Sequence, residues 1–363
     1  MNLSYDAIIV GGGLAGACAA LHLSRTRSVL LLERDVPASG ASGVAAGLVN
    51  PIMSQRAKPV WRMHEALDAL QESLDLAGAT SLFRKTGVIR PAADEEQAEI
   101  FRQAAKRMPD EADWLPHTYL ADTFPAVRAP FGALRVRNAG TVPVPELVRA
   151  LLDAAVRNGA EVALHADVRA WNENGQAASV DVVRTGKTER FHARHVILAL
   201  GDAWSRYPDL AGLRLHRVKG QSVSVAPPTG LDPARVPILA GMGYVVPEAD
   251  SFIVGSSYEH VFTSLEPDPD QTRRILDKAA AMLPRLSEAT VIEETAGVRV
   301  NVPGTRLPML GPLPGHARVW IFTGLGSKGL LMAPLLGREL LSFLDATEQI
   351  PSEIRVRTRK NGN

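Results

Sequence analysis

A β-branched run, YDAIIV (5–10), ends directly on GGGLAG (11–16), and an apolar helical stretch over 17–23 follows without a break. No other feature narrows the folds open to this chain as far. Gly11, Gly13 and Gly16 satisfy G-x-G-x-x-G in the context that gives it meaning, after a strand and before a helix. The first glycine permits the tight turn, the second lets a pyrophosphate approach the backbone, and the third lets helix and strand pack closely. Leu14 and Ala15 lie between them, at the start of the helix, where free N–H groups meet phosphate. A second apolar strand, 28–32, ends at Glu33, with Arg34 beside it. A carboxylate at that distance accepts both ribose hydroxyls of an adenosine. Together these predict a Rossmann-like βαβ unit that binds a dinucleotide. The motif alone does not separate NAD from FAD. None of the five tyrosines has a lysine four residues later, no CxxC pair is present, and no second glycine triplet offers a nicotinamide site.

Apolar residues at alternating spacings of three and four (Val60, Met63, Leu67, Leu70, Leu74) predict a helix over 59–77, with Pro59 near its start and Gly78 past its end. From about 81 to 140 the pattern changes to short strands around a charged helix at 94–107. A helix opened by Pro145 and closed by Gly159 precedes strands at 161–164 and 195–200. Strand-like runs return between 215 and 297 with one helix near 270–283, and RVWIFTG (318–324) leads into a last helix reaching about 344. The chain of 363 residues suits two domains. The expected fold class is α/β: a doubly wound FAD/NAD(P)-binding domain from 1–80, 141–214 and 297–345, with an inserted antiparallel or mixed-sheet substrate domain from 81–140 and 215–296, and a tail at 346–363.

Forty basic and 39 acidic side chains nearly cancel, so the composition calls for no large nucleic-acid-binding face. The basic tail RVRTRK (355–360) reads as a solvated end. Cys18 is the sole cysteine, which excludes an intrachain disulfide and an all-cysteine metal site. No signal peptide or membrane-spanning run is visible, so a reduced cytoplasmic setting is expected. No metal site is expected.

In this order, the motifs resemble the D-amino acid oxidase (DAO) superfamily of FAD-dependent oxidoreductases, in its glycine oxidase and sarcosine oxidase branch. GASGVAAGL (40–48) is similar to the segment that runs beneath the flavin, which implies cofactor contacts for Ala41, Ser42, Ala46, Gly47 and Leu48. ADV (166–168) resembles the turn whose Val168 backbone meets the adenine, and HVILALGDAW (195–204) the strand that brings Gly201 and Trp204 to the cofactor. GTVPVPELVRALLDAAVRNGAEV (140–162), VKGQSVSV (218–225) and AGVRVNVPGTRLPMLGPLP (296–314) continue the likeness. GLGSKGLLMAP (324–334) completes it, with Leu325, Gly326, Ser327, Lys328, Gly329, Leu330 and Leu331 at the flavin. The resemblance implies non-covalent FAD, since Val298 stands where some relatives carry a flavin-tethering cysteine.

It also implies that Arg299 in AGVRV grips a substrate carboxylate, that the Tyr244 hydroxyl reaches the same group, and that Lys328 sits at the active site. The plainer readings are a surface ion pair of Arg299 with Glu293 or Glu294, a Tyr244 hydroxyl in water, and a Lys328 ammonium that caps a carbonyl. Arg56, His64 and His260 are further residues near plausible pocket segments, each with an ordinary structural reading. Two positions depart from the family: glycine oxidases place an arginine where Ser327 stands, and sarcosine oxidases an oxygen-activating lysine at the place of Ile253. The expected activity is oxidation of the C–N bond of a small amino acid or N-alkyl amino acid, by hydride transfer to flavin, with O2 or another electron acceptor. Alternatives are a flavin enzyme acting on a modified wobble uridine of tRNA, and a flavoprotein that binds without turnover. An oligomer is compatible with the sequence.

Overall fold

The computed structural model describes residues 5–359; the first four residues and the last four of the expected tail lie outside it. Two large sheets organise the chain. The first has a parallel centre: Glu161–Ala163, Val29–Leu32, Tyr5–Val10 and the C-terminal half of Lys187–Leu198 lie side by side, and Val319–Thr323 pairs parallel beyond them. Its strands are apolar on both faces, as a sheet covered on both sides requires. Ala7, Ile9, Val29 and Leu31 face the helices Leu14–Ser24, Met63–Ala77, Val144–Arg157 and Gly329–Asp345. Ile8, Val10, Leu30 and Leu32 face the other way and share a core with Val180, Val182 and Trp171.

That second face is covered by strands absent from the sequence reading. Asp167–Glu173, Ala178–Arg184 and Lys187–Leu198 form an antiparallel meander, so the strand expected at 195–200 is the end of a twelve-residue strand. Its outer half alternates polar and apolar residues too weakly to register as a buried run. The helix expected over 59–77 begins only at Met63: Lys58–Pro59 is a short strand and Arg62 takes a left-handed conformation at the N-cap. Arg62 is held there by ion pairs to Glu65 and Glu339, contacts that apolar spacing does not reveal.

The second sheet runs in the order Thr290–Asn301, His216–Ala226, Phe252–Gly255, Tyr244–Pro247, Leu239–Ala240, Val88–Pro91, Ala133–Val136, Ala112–Leu115. All of its pairings are antiparallel but the one between Leu239 and Ile89. Val223, Val225, Val245 and Val254 pack with Ile275, Ala279 and Met282 of the helix Pro269–Met282. Alternate residues, among them Ser222 and Tyr244, face a cavity between the sheets. Pairing of Thr290–Asn301 with His216–Ala226 runs to Asn301, past the expected boundary at 297. No helix among the described residues is long and apolar enough to cross a membrane, and no His/Cys/Asp/Glu group among them could hold a metal ion.

Candidate active site

A cavity of about 720 Å³ lies between the two sheets. The glycine turn contributes Gly11, Gly13, Leu14 and Ala15, the second strand's end contributes Glu33 and Arg34, and Ala41, Ser42, Ala46, Gly47 and Leu48 follow. Val168, Gly201 and every residue from Leu325 to Leu331 line it too. The second sheet adds Gly220, Ser222, Tyr244, Val298 and Arg299. The structure therefore gathers almost all of the expected residues into one wall, although they come from eight stretches of chain.

Two expected cofactor residues are not in that wall. Gly16 works behind it: a Cβ there would come within 1.9 Å of Gly11 O, so its absence lets helix and strand touch. Trp204 is the other. Ala203 and Ser205 face the cavity, but the Trp204 ring points into the core beneath the first sheet, with its Nε1 unpaired. The tight 3-10 turn Gly201–Arg206 rotates it away.

Gly11 sits at φ +113°, and a Cβ would lie 2.4 Å from Ala199 O, so any other residue would push the two strands apart. Glu33 is buried, and its Oε2 accepts from Gly12 N–H at 2.5 Å while Oε1 accepts from Asp35 N–H at 2.8 Å. The carboxylate thus braces the turn and keeps lone pairs for a diol. Ser42 Oγ accepts from Leu14 N–H at 3.1 Å. At the strand end before Gly324, Thr323 Oγ1 is buried with no partner. The last helix begins at Gly329, immediately after the 3-10 turn Gly326–Lys328, and its first N–H groups lack intrahelical acceptors.

Most cations of the wall are neutralised. Arg217 holds Asp202 through two bonds of 2.6 and 2.7 Å, Arg34 pairs with Asp35 at 2.8 Å, and Arg206 reaches Asp167 at 3.3 Å. Arg299 differs. It has no carboxylate partner among the described residues, and its Nη1 is buried without a hydrogen bond. The surface pair with Glu293 or Glu294 does not form; Glu294 instead accepts from Thr272 Oγ1. Gly220 lies against the Arg299 guanidinium so closely that a Cβ would meet Nη2 at 2.1 Å. Tyr258 stacks on it, 4.7 Å from the ring centroid to Cζ.

Tyr244 is beside this cation. Burial raises its phenol pKa above the ordinary value, while Arg299 and Ser222 pull it down. Lys328 lines the cavity, but its ammonium donates to Arg306 O at 3.0 Å. Burial, and then the Arg306 guanidinium, hold its pKa below that of an ordinary lysine. Arg56 is exposed, His64 is exposed beside Glu111 at 3.4 Å, and His260 stacks on His216. Sequence reasoning did not find Tyr258, Gly220 or Thr323. Gly220 and Thr323 lie in stretches it had marked, one residue from the features noted; Tyr258 is in a loop without periodicity.

The model of the family described as FAD dependent oxidoreductase (DAO) matches residues 6–342. The chain belongs to the DAO family. Among its relatives, a tRNA 5-methylaminomethyl-2-thiouridine biosynthesis bifunctional protein MnmC from Thiobacillus denitrificans is 32% identical over 95% of this chain, which spans 57% of that longer protein. A glycine oxidase from Geobacillus kaustophilus is 28% identical, with 96% of this chain and 95% of that one covered. The crystal structure of glycine oxidase from that organism superposes with a TM-score of 0.81 at 24% identity, covering 94% of each chain.

FAD is the cofactor of this DAO-family chain, and the cavity suits it. The Gly11 turn is open only because it lacks a Cβ, and Glu33 offers acceptors at the end of the second strand. No thiol lines this cavity, because Cys18 is buried in the first helix against Gly337.

Proposed function

We propose that the protein oxidises the C–N bond of a small amine that carries a carboxylate, an amino acid or N-alkyl amino acid. The observation that carries this is Arg299: a half-buried guanidinium with no carboxylate partner among the described residues, in a cavity wall whose other arginines are paired to acids. A cation without a counter-charge in such a wall favours an anion, and a planar fork selects a carboxylate. Tyr258 covers one face of the fork and Gly220 lies against the other near Nη2, so a carboxylate must lie along an edge. Tyr244, kept protonated by burial, donates its O–H to the same group. Lys328 adds positive charge from the last turn. Gly11, Gly13, Glu33, Val168 and 325–331 hold the cofactor.

When bound, FAD supplies the two-electron oxidation that turns amine into imine, which water hydrolyses to an oxo acid and ammonia or an amine. The protein's contribution is orientation: a carboxylate fixed at Arg299 makes the reaction effectively unimolecular. The division of labour follows the sheets, with the first holding the cofactor and the second the substrate. Anaerobic reduction of the flavin absorbance by a panel of D-, L- and N-methyl amino acids tests this reading. Carboxyl-free amines that reduce the flavin as well as their carboxylated counterparts would refute it.

A second reading, action on a modified wobble uridine in tRNA, is favoured by the 32% identical bifunctional relative. The near-balanced charge of 40 basic and 39 acidic residues weighs against it. Stoichiometric co-purification with tRNA would reverse that order.

A further inference from the structure

Between the second sheet's strand Phe252–Gly255 and its helix Pro269–Met282 the chain crosses the cavity as a loop, and one neighbouring strand ties this loop down along its length. Lys219 is the principal tie. Its backbone pairs both ways with Glu259, at 3.0 and 2.9 Å. Its side chain, 4% exposed, reaches forward to donate from Nζ to Glu266 O at 2.7 Å and lies 3.7 Å from the Glu259 carboxylate. Gln221, two residues on and fully buried, holds both ends as well. Its N–H donates to Ser257 Oγ at 2.9 Å, and its Oε1 accepts from Asp268 N–H at 2.8 Å. Tyr258 sits between two pinned residues, Ser257 and Glu259, and from there its ring covers the Arg299 guanidinium at 4.7 Å.

A loop with 92% exposure at Val261 and 60% at Tyr258 has little apolar packing of its own. Its position is therefore set by these polar ties. A buried lysine is an expensive way to hold a loop unless the geometry matters. We propose that Lys219 is a positioning residue for substrate recognition: it holds the loop so that Tyr258 roofs Arg299, and Tyr258 thereby determines specificity for carboxylated over carboxyl-free amines. The roof acts in two ways. It keeps water off one face of the guanidinium, and it leaves only the edge for a planar anion. The inference rests on the carboxylate role of Arg299 given above.

The test uses the flavin-loaded full chain with acetate as the carboxylate probe, read as the shift of the visible flavin spectrum. It also compares KM and kcat on whichever amino acid turns over fastest. Lys219→Met and Tyr258→Leu should each weaken acetate binding and raise KM by roughly 3- to 10-fold, with kcat moving less than KM. Tyr258→Phe, which retains the ring, should stay within about twofold of the parent, and Lys219→Arg, which retains a charged donor, should lose less than Lys219→Met. Amide exchange over 259–266 should quicken in Lys219→Met and not in Tyr258→Leu. If Lys219→Met does not fold, Tyr258→Leu and Lys219→Arg still decide the matter, the first being a change on an exposed loop. Unchanged acetate binding in Tyr258→Leu, alongside a loss in Arg299→Ala, overturns this inference alone. Acetate binding that Arg299→Ala leaves intact overturns the carboxylate reading and this one with it.

Discussion

Replacing Arg299 by alanine is the sharpest test of the substrate site, and the structure bounds its size. The guanidinium lies between the Gly220 backbone and the Tyr258 ring, with Nη1 stripped of both water and protein acceptors. A carboxylate on its free edge would make charge-assisted bonds of about 1.5–3 kcal/mol. At ~1.4 kcal/mol per factor of ten, the variant should lose roughly 10- to 150-fold in affinity for carboxylated ligands. Flavin content should hold, because the residues assigned to the cofactor belong to other segments. Gly220→Ala provides an independent check without touching the arginine. Its Cβ would stand 2.1 Å from Nη2, more than an ångström inside the 3.4 Å at which ordinary contact begins. The guanidinium must then shift against Tyr258, and carboxylate affinity should fall in the same direction. Both are read by anaerobic titration of the flavin spectrum with acetate and with a reducing amino acid. Equal losses for carboxylated and carboxyl-free amines in both variants would refute the reasoning.

Lys328→Met should retain FAD but slow anaerobic flavin reduction in stopped flow; unchanged kinetics would leave Lys328 only its bond to Arg306 O. Glu33→Arg should lower FAD content, and by freeing Gly12 and Asp35 N–H groups it should also lower the Tm of the apoprotein, at about 1–3 kcal/mol for the buried donors. Acid precipitation should release all flavin to the supernatant, and native protein should resist thiol reagents, since Cys18 is fully buried and burial pushes its thiol pKa up. Burial lowers the His22 pKa from 6.5 to about 4. Its contribution to stability is thus fully present above pH 6.5 and is lost as pH falls towards 4, because only the unfolded state gains the proton there. Thermal melts should show this decline, and His22→Gln should flatten it.

Much of the fold could be read from sequence because its decisive positions are local. The turn at Gly11, Gly13 and Gly16 is specified by residues within six places of one another, and the parallel strands on either side are continuous apolar runs. The meander over 167–198 is not legible because its outer strands are only partly buried, and Glu189 and Arg190 break the apolar pattern. Turn dipeptides Asn174-Gly175 and Thr185-Gly186 carried the missing signal. At the site, Arg299 stands out by its motif, but its state does not. That Glu294 is consumed by Thr272, and that Tyr258 covers the guanidinium, depend on register between distant strands. Trp204 is a related case: a stretch can line a cavity while one of its side chains turns away.

The first and last helices meet at Gly337, where a Cβ would stand 2.9 Å from that of Cys18. This contact joins the glycine turn near the start of the chain to the 325–331 turn near its end. During synthesis, then, the cofactor site cannot exist until the ribosome has finished the final helix. A nascent chain stalled before it would carry the dinucleotide motif but no closed cavity. Flavin loading should therefore be lost when the helix Gly329–Asp345 is removed, in a way that the second sheet's own folding is not.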